Sequence, residues 1–191
     1  MRTASVERIT SETSISVAVD LDGSGAAEIE SPMGFLSHML TSLSTHSMID
    51  IRLRAMGDLK HHVTEDAALC LGRAIREALG EGEPVNRFGY ATVPMDCSLA
   101  SCAVDLGGRP YHVVSLGLRG PTVEDVAAED LTHFLESLAT SLHANIHVEV
   151  QYGRNDHHRA EAAFKALALS LRQAVARDPR RRGVPSSKGV I

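Results

Sequence analysis

Two stretches of the 191-residue chain carry the same set of potential metal ligands. Residues 57–79 read GDLKHHVTEDAALCLGRAIREAL and residues 153–175 read GRNDHHRAEAAFKALALSLRQAV. At an offset of 96 they superpose without a gap, so that His61 falls on His157, His62 on His158 and Glu65 on Glu161. Each copy opens with His-His-x-x-Glu and continues with helical apolar spacing. Residues three and four apart share a helix face, so each Glu can meet either His of its own copy. Adjacent residues on a helix diverge by about 100°, so a His pair suits two ions better than one. His38 in SHML and His133 in THFL correspond in the same way at an offset of 95. The eight donors form four repeat-related pairs: His38/His133, His61/His157, His62/His158 and Glu65/Glu161. A pseudo-twofold arrangement divides them into two sites of three His and one Glu. The divergence of neighbouring His residues predicts an exchanged division. His38, His61, Glu65 and His158 would hold one ion, and His133, His157, Glu161 and His62 the other. An octahedral ion such as Mn²⁺ would keep two positions open for substrate or water, whereas tetrahedral Zn²⁺ would be filled. A single HHxxE is explained as well by a solvated helix start; its duplication is what argues for metal. His112, His143 and His147 have no repeat partner of the same type and read as ordinary residues.

A second group of residues suits an anion. Arg87 stands in NRFG, Arg109 in GGRPY, and Ser186, Ser187 and Lys188 in PSSKG. Taken singly, each Arg reads as a surface ion-pair residue and PSSKG as a frayed tail. Together they supply the donors and positive charge that a phosphate needs.

The elements that must position these groups fall into two halves. Residues 5–10 read as an edge strand, and 14–21 (SISVAVDL) as an alternating, β-branched strand. Residues 22–25 (DGSG) make a turn, with 26–30 as the returning strand of a hairpin. Residues 35–45 have helical spacing, 50–55 alternate, and 61–79 form the first ligand-bearing helix. The second half repeats this order with strands over 87–93, 101–105, 110–116 and 145–150 and helices over 129–142 and 157–176. SCAVDLGG (101–108) matches SVAVDLDG (16–23) at an offset of 85. The expected fold is therefore α+β, an internal duplication of a β-β-β-α-β-α half with one face of each sheet covered. The half-repeats are expected at 1–84 and 85–178, followed by a C-terminal tail, 179–191, that binds the substrate's anionic group.

Composition limits the alternatives. A hydrophobic share of 43% and a charged share of 23% suit an ordinary globular protein, and with aromatics at 4% and no Trp the core must be aliphatic. The formal net charge of -5 argues against a nucleic-acid partner, and no apolar run approaches membrane-spanning length. The basic run at 177–182 reads as a solvated tail. Cys70, Cys97 and Cys102 show neither CxxC spacing nor a disulfide framework, which makes a cytoplasmic setting the expectation.

Over essentially its whole length the chain resembles the imidazoleglycerol-phosphate dehydratase family. The resemblance is carried by SETSI (11–15), LDGSG (21–25), GFLSHML (34–40), GDLKHHVTED (57–66), RFG (87–89), PMD (94–96), VDLGGRPY (104–111), THF (132–134), YGRNDHHRAEAAFKAL (152–167) and PSSKG (185–189). It implies a duplicated fold of the ribosomal-protein-S5-domain-2-like kind and a lyase of histidine biosynthesis. The implied reaction dehydrates imidazoleglycerol phosphate to imidazoleacetol phosphate through a metal-bound imidazolate, with two Mn²⁺ ions in the active site. The metal ligands would be the eight residues above, and His38, His61, Glu65 and His157 would also face the substrate. Further substrate contacts would come from Glu12, His46, Lys165, Arg87, Arg109, Ser186, Ser187 and Lys188. Glu12, with the ligand carboxylates Glu65 and Glu161, would carry the catalysis, Glu12 as the base or proton shuttle. The resemblance further implies a closed homo-oligomer of 24 subunits with active sites shared between chains. Three positions depart from the family's usual pattern: Ser37 replaces an acidic residue, Cys97 replaces a Glu after PMD, and the loop before His61 is shortened to Leu59-Lys60. Glu12 aligns with Cys97 at the 85 offset and is the carboxylate that remains. Two other classes suit the ligand pattern alone, a dinuclear phosphoesterase and a non-catalytic metal-dependent assembly. The first would release inorganic phosphate, and the second would not respond to Lys188→Ala.

Overall fold

The computed structural model describes residues 1–80, 84–181 and 183–187. Its first half contains β1 (Thr3–Ile9), β2 (Thr13–Asp20), β3 (Ala27–Glu30), α1 (Gly34–Ser47), β4 (Asp50–Gly57) and α2 (Lys60–Leu79). The second contains β5 (Phe88–Met95), β6 (Ser98–Asp105), β7 (Tyr111–Ser115), a short ribbon β8 (Thr122–Val123) and β9 (Val126–Ala127), then α3 (Ala128–Leu142), β10 (Asn145–Tyr152) and α4 (Asp156–Val175). Alternation sets the sheet faces. β2 buries Thr13, Ile15, Val17 and Val19 and turns Ser14 and Ser16 to the outside. β4 buries Ile51, Leu53 and Ala55 and exposes Arg52 and Arg54.

Both halves have the same topology. The strand orders are β1-β2-β4-β3 and β5-β6-β10-β7. In the first sheet β1 pairs with β2 and β2 with β4, both antiparallel, while β3 pairs with β4 in parallel. The expected hairpin between the second and third strands is therefore corrected. The chain leaves β2 through a turn with Gly25 at φ 83 and crosses to the far side of β4. Asp50 fastens this crossing by accepting from the backbone N–H groups of Ser24 (2.7 Å) and Ala26 (2.8 Å). A parallel pair needs a crossover connection, and α1 supplies it.

Each sheet buries one face under its own two helices, and the helix layers meet in the middle. α2 lies on β1, β2 and β4, and α4 on β5, β6 and β10. Across the centre the helices pair between halves, α1 with α4 and α2 with α3. One continuous aliphatic core runs through both halves, with Phe134 and Phe164 in contact within it, ring centroids 5.6 Å apart. The close approach of α2 to α3 depends on Gly72, where an added Cβ would lie 2.8 Å from the Leu138 carbonyl oxygen. The β8–β9 ribbon has no counterpart in the first half and was not expected from the sequence. It absorbs the change of offset from 85 to 95 between the matched strands and helices. The basic segment is not wholly a solvated tail: Val85 bridges Arg177, and Asp178 N–H donates to Pro84 O at 2.8 Å.

Candidate metal centre and active site

The helix pairing decides which ligands meet. His38 on α1 lies with His157 and Glu161 on α4, their ligand atoms all within 4.8 Å of one another. The Nε2 atoms of His38 and His157 are 3.6 and 3.3 Å from Glu161 Oε2. On the other side of the pseudo-twofold, His61 and Glu65 on α2 lie with His133 on α3, within the same 4.8 Å. His133 Nε2 is 3.5 Å from Glu65 Oε1, and the rings of His61 and His133 stack at 5.2 Å and 13°. The exchanged division expected from the sequence placed His38 with His61 and Glu65, and His133 with His157 and Glu161. The structure corrects it, because α1 packs on α4 and α2 on α3. Exchange between halves does occur, but it is the α1 and α3 His residues that cross.

His62 and His158 join neither triad within the chain, since a one-residue step turns each ring away from its neighbour's cluster. His62 Nδ1 is 2.8 Å from Asp58 Oδ1 and 3.8 Å from Glu12 Oε2. This Asp58 contact raises the His62 pKa, while the same bond from His62 lowers that of Asp58. His158 Nδ1 is 3.5 Å from Cys97 Sγ, and its Nε2 is 3.3 Å from Asp96 Oδ2. The Arg154 backbone N–H, with His158 and Ser98 adding to it, brings the Cys97 thiol down to about 6.

A carboxylate fixes one ring of each triad from behind. His61 Nδ1 contacts the buried Asp130 at 2.6 Å, and His157 Nδ1 contacts Glu124 at 3.0 Å. A carboxylate that accepts from Nδ1–H leaves the Nε2 lone pair directed forward, the orientation a metal-ligating imidazole needs. Asp130 stands one turn before His133 on α3, and Glu124 sits in the β8–β9 turn. Neither was singled out from the sequence. Neither has a counterpart in the repeat alignment, so the only signal for Asp130 was its i,i+3 spacing from His133.

The helix starts that carry these residues are themselves tied across the halves. Asp125 accepts from the N–H groups of Gly34 (2.6 Å) and Phe35 (2.9 Å) at the start of α1. Partial burial acts to raise its pKa, but the bonds from Phe35 and Gly34 outweigh it and hold the carboxyl below its ordinary range. Asn155 caps α4 by accepting from His158 N–H at 3.2 Å, as expected of Asn at that position. Asp156 accepts from Arg119 and Gly120 N–H, both at 2.8 Å.

The other expected site residues are distributed around these clusters. Lys165 Nζ lies 2.7 Å from Glu161 Oε1. Burial raises the pKa of Glu161, yet Lys165, joined by His38 and His157, outweighs it and holds the carboxyl below its ordinary range. His46, in the last turn of α1, has its pKa lowered by burial and then by Lys165. Glu12 is exposed in the β1–β2 turn, where its carbonyl accepts from Asp58 N–H at 3.0 Å. Arg87 pairs with Asp105 at 2.6 Å and donates to the Pro185 carbonyl at 3.0 Å, which brings it to the PSSKG segment. Arg109 and Ser187 are exposed and Ser186 is half-buried; Lys188 lies outside the described residues.

The fold and the two clusters together define a duplicated α+β protein whose halves pack helix against helix to build a matched pair of His–His–Glu triads. The imidazoleglycerol-phosphate dehydratase family model matches residues 31–171. The chain is 49% identical over 193 residues to the imidazoleglycerol-phosphate dehydratase of Chlorobium phaeovibrioides, covering 100% of this chain and 96% of that one. It is 48% identical to the enzyme of Dehalococcoides mccartyi, with coverage of 100% and 97%. Among solved structures, imidazoleglycerol-phosphate dehydratase from Staphylococcus aureus superposes with a TM-score of 0.85 at 30% identity, covering 92% of this chain and 99% of that one. The Pyrococcus furiosus enzyme in complex with (S)-C348 superposes at 0.84 with 38% identity, covering 97% and 100%. The chain belongs to the imidazoleglycerol-phosphate dehydratase family and is a hydro-lyase. Among the described residues, no helix is long and apolar enough to cross a membrane.

Proposed function

We propose that the chain dehydrates imidazoleglycerol phosphate to imidazoleacetol phosphate, in histidine biosynthesis, at a centre that holds two divalent ions. The observation that carries the dinuclear reading is the pair of matched triads, each with two imidazoles and one carboxylate within 4.8 Å. The donors fit such ions: Nδ1 of His61 and His157 is occupied by carboxylates, which leaves Nε2 free to bind. Nitrogen with carboxylate donors suits Mn²⁺, which would retain open positions after a fourth protein ligand joins. That fourth ligand is His62 or His158 from a neighbouring copy, since these rings turn away from their own chain's triads. The reading therefore includes a large homo-oligomer, of 24 subunits by the resemblance, with shared active sites in the cytoplasm.

When bound, the ions would polarise the substrate's imidazole and ease loss of the hydroxyl on the adjacent carbon. The chain's own residues do the rest. Glu12 Oε2 takes the proton from the neighbouring carbon, an exposed carboxylate free to approach a bound substrate. Lys165 holds Glu161 ionised as a ligand. Arg87, Arg109, Ser186, Ser187 and Lys188 bind the phosphate and orient the reacting carbons over the centre. The test is Mn²⁺ titration of metal-stripped protein followed by assay with imidazoleglycerol phosphate. Two Mn²⁺ per chain and a keto product that keeps its phosphate are expected. Release of inorganic phosphate, or full turnover by the stripped protein, would overturn the proposal.

A further inference from the structure

We propose that Cys97 is the positioning residue of His158, a sulfur acceptor standing where carboxylates serve His61, His62 and His157, and that it makes the two metal positions unequal in affinity. The inference rests on the dinuclear reading above. Three of the four helix-start imidazoles have Nδ1 on a carboxylate: His61 on Asp130, His62 on Asp58 and His157 on Glu124. The fourth, His158, has Nδ1 on Cys97 Sγ at 3.5 Å. The repeat explains why no carboxylate is there. At the offset of 96 the position equivalent to Asp58 is Arg154, which offers only its backbone N–H, and that group donates to Cys97 Sγ at 3.3 Å. Asp96 cannot substitute, because its carboxylate lies at His158 Nε2, 3.3 Å away, on the metal-binding side of the ring. Cys97 in the β5–β6 turn is also the counterpart of Glu12 in the β1–β2 turn at the 85 offset. One half of the centre thus keeps a carboxylate free for proton transfer, while the other uses the same turn to hold a ligand.

The chemistry follows from the acceptor. The Arg154 backbone N–H already donates to Cys97 Sγ, and a His158 tautomer with Nδ1–H gives the same sulfur a second donor and leaves Nε2 for the ion. Sulfur accepts over a longer bond than a carboxylate oxygen, so the His158 ring is less firmly aimed. The ion served by His158 is then the weaker of the two.

Mn²⁺ titration of the metal-stripped wild type, C97A and C97D, read by the resonance of free Mn²⁺, tests this, with thermal melting of the metal-free proteins as the control for folding. Wild type is expected to bind two ions in two affinity classes. C97A should melt as wild type does, keep the tighter class and lose about 10- to 100-fold in the weaker. C97D should restore or exceed wild-type affinity in that class alone. Should C97A not fold, alkylation of folded wild type reports the same point, because Cys70 and Cys102 are buried at 2% and 3% exposure. Unchanged affinities after loss of the Cys97 thiol, or equal weakening of both ions, would overturn the positioning role and leave the dinuclear reading intact. A wild type that binds no pair of Mn²⁺ ions would overturn both.

Discussion

At the scale of single residues, the proposed reading separates groups that would hold metal from one that would move protons. Glu12 is the proposed proton carrier: it approaches His62 only at 3.8 Å and lies outside both triads. Glu12→Gln should keep two Mn²⁺ per chain by elemental analysis while kcat falls by about 10²- to 10⁴-fold, the usual worth of a general base. Wild-type turnover in that variant would remove Glu12 from the reaction. Asp130 acts one bond further back. Its carboxylate is buried at 4% exposure and meets His61 Nδ1 at 2.6 Å. Asp130→Ala should therefore weaken Mn²⁺ binding about 10- to 100-fold at the His61–Glu65–His133 triad. A titration in which both ions weaken together would count against this local role.

At the scale of elements, the pairing of helices decides everything the ligands do. α2 and α3 approach closely because Gly72 has no Cβ to meet Leu138 O (2.8 Å) and Leu142 N (2.9 Å) on the facing helix. Both obstacles are backbone, so Gly72→Ala has to separate the helices. Overpacking of this kind costs about 1–3 kcal/mol, and it would also part His133 from His61 and Glu65. The expected result is a lower melting temperature and selective loss of metal from that triad. The α1–α4 triad should be spared, because its separation is set by other contacts and by the Asp125 cap on α1.

At the scale of the whole molecule, the two halves are clasped at their far ends. Arg2, buried at 7% exposure, pairs with Asp22 at 2.6 Å and donates to the carbonyl of Val175 at the end of α4. The Arg2 guanidinium holds the Asp22 carboxyl below its ordinary value of 3.8. A depressed carboxylate stabilises above its unfolded pKa, and that contribution is lost as pH falls through the folded one. Asp22→Asn should then cost about 1–2 kcal/mol at neutral pH, discounted for the partial exposure of the pair. In urea melts the difference from wild type should shrink below about pH 4 and vanish once Asp22 is protonated in both states. Assembly provides a separate test. Chains carrying His38→Ala and chains carrying His62→Ala with His158→Ala should each be inactive. Expressed together, they should recover part of the activity, because some sites then draw an intact triad from one chain and intact rings from another. No recovery would place all ligands of a site within one chain.

The sequence by itself determined most of the elements and the candidate donors. Alternation marked β2 and β4, helical spacing marked all four helices, and the repeat singled out eight candidate donors that one HHxxE would not have suggested. These are local properties, fixed by the periods of strand and helix. Tertiary structure alone decided the partners. β3 joined β4 in parallel instead of returning along β2, since α1 carries the chain across. The triads formed along the α1–α4 and α2–α3 seams because the two helix layers pack against each other between the sheets. Asp130 and Glu124 became positioning groups only through that packing, which brings residues 69 and 33 positions away onto the rings of His61 and His157. Contacts of that separation carry no period in the chain. They follow from which apolar faces bury one another, and that is settled only when both halves fold onto a single core.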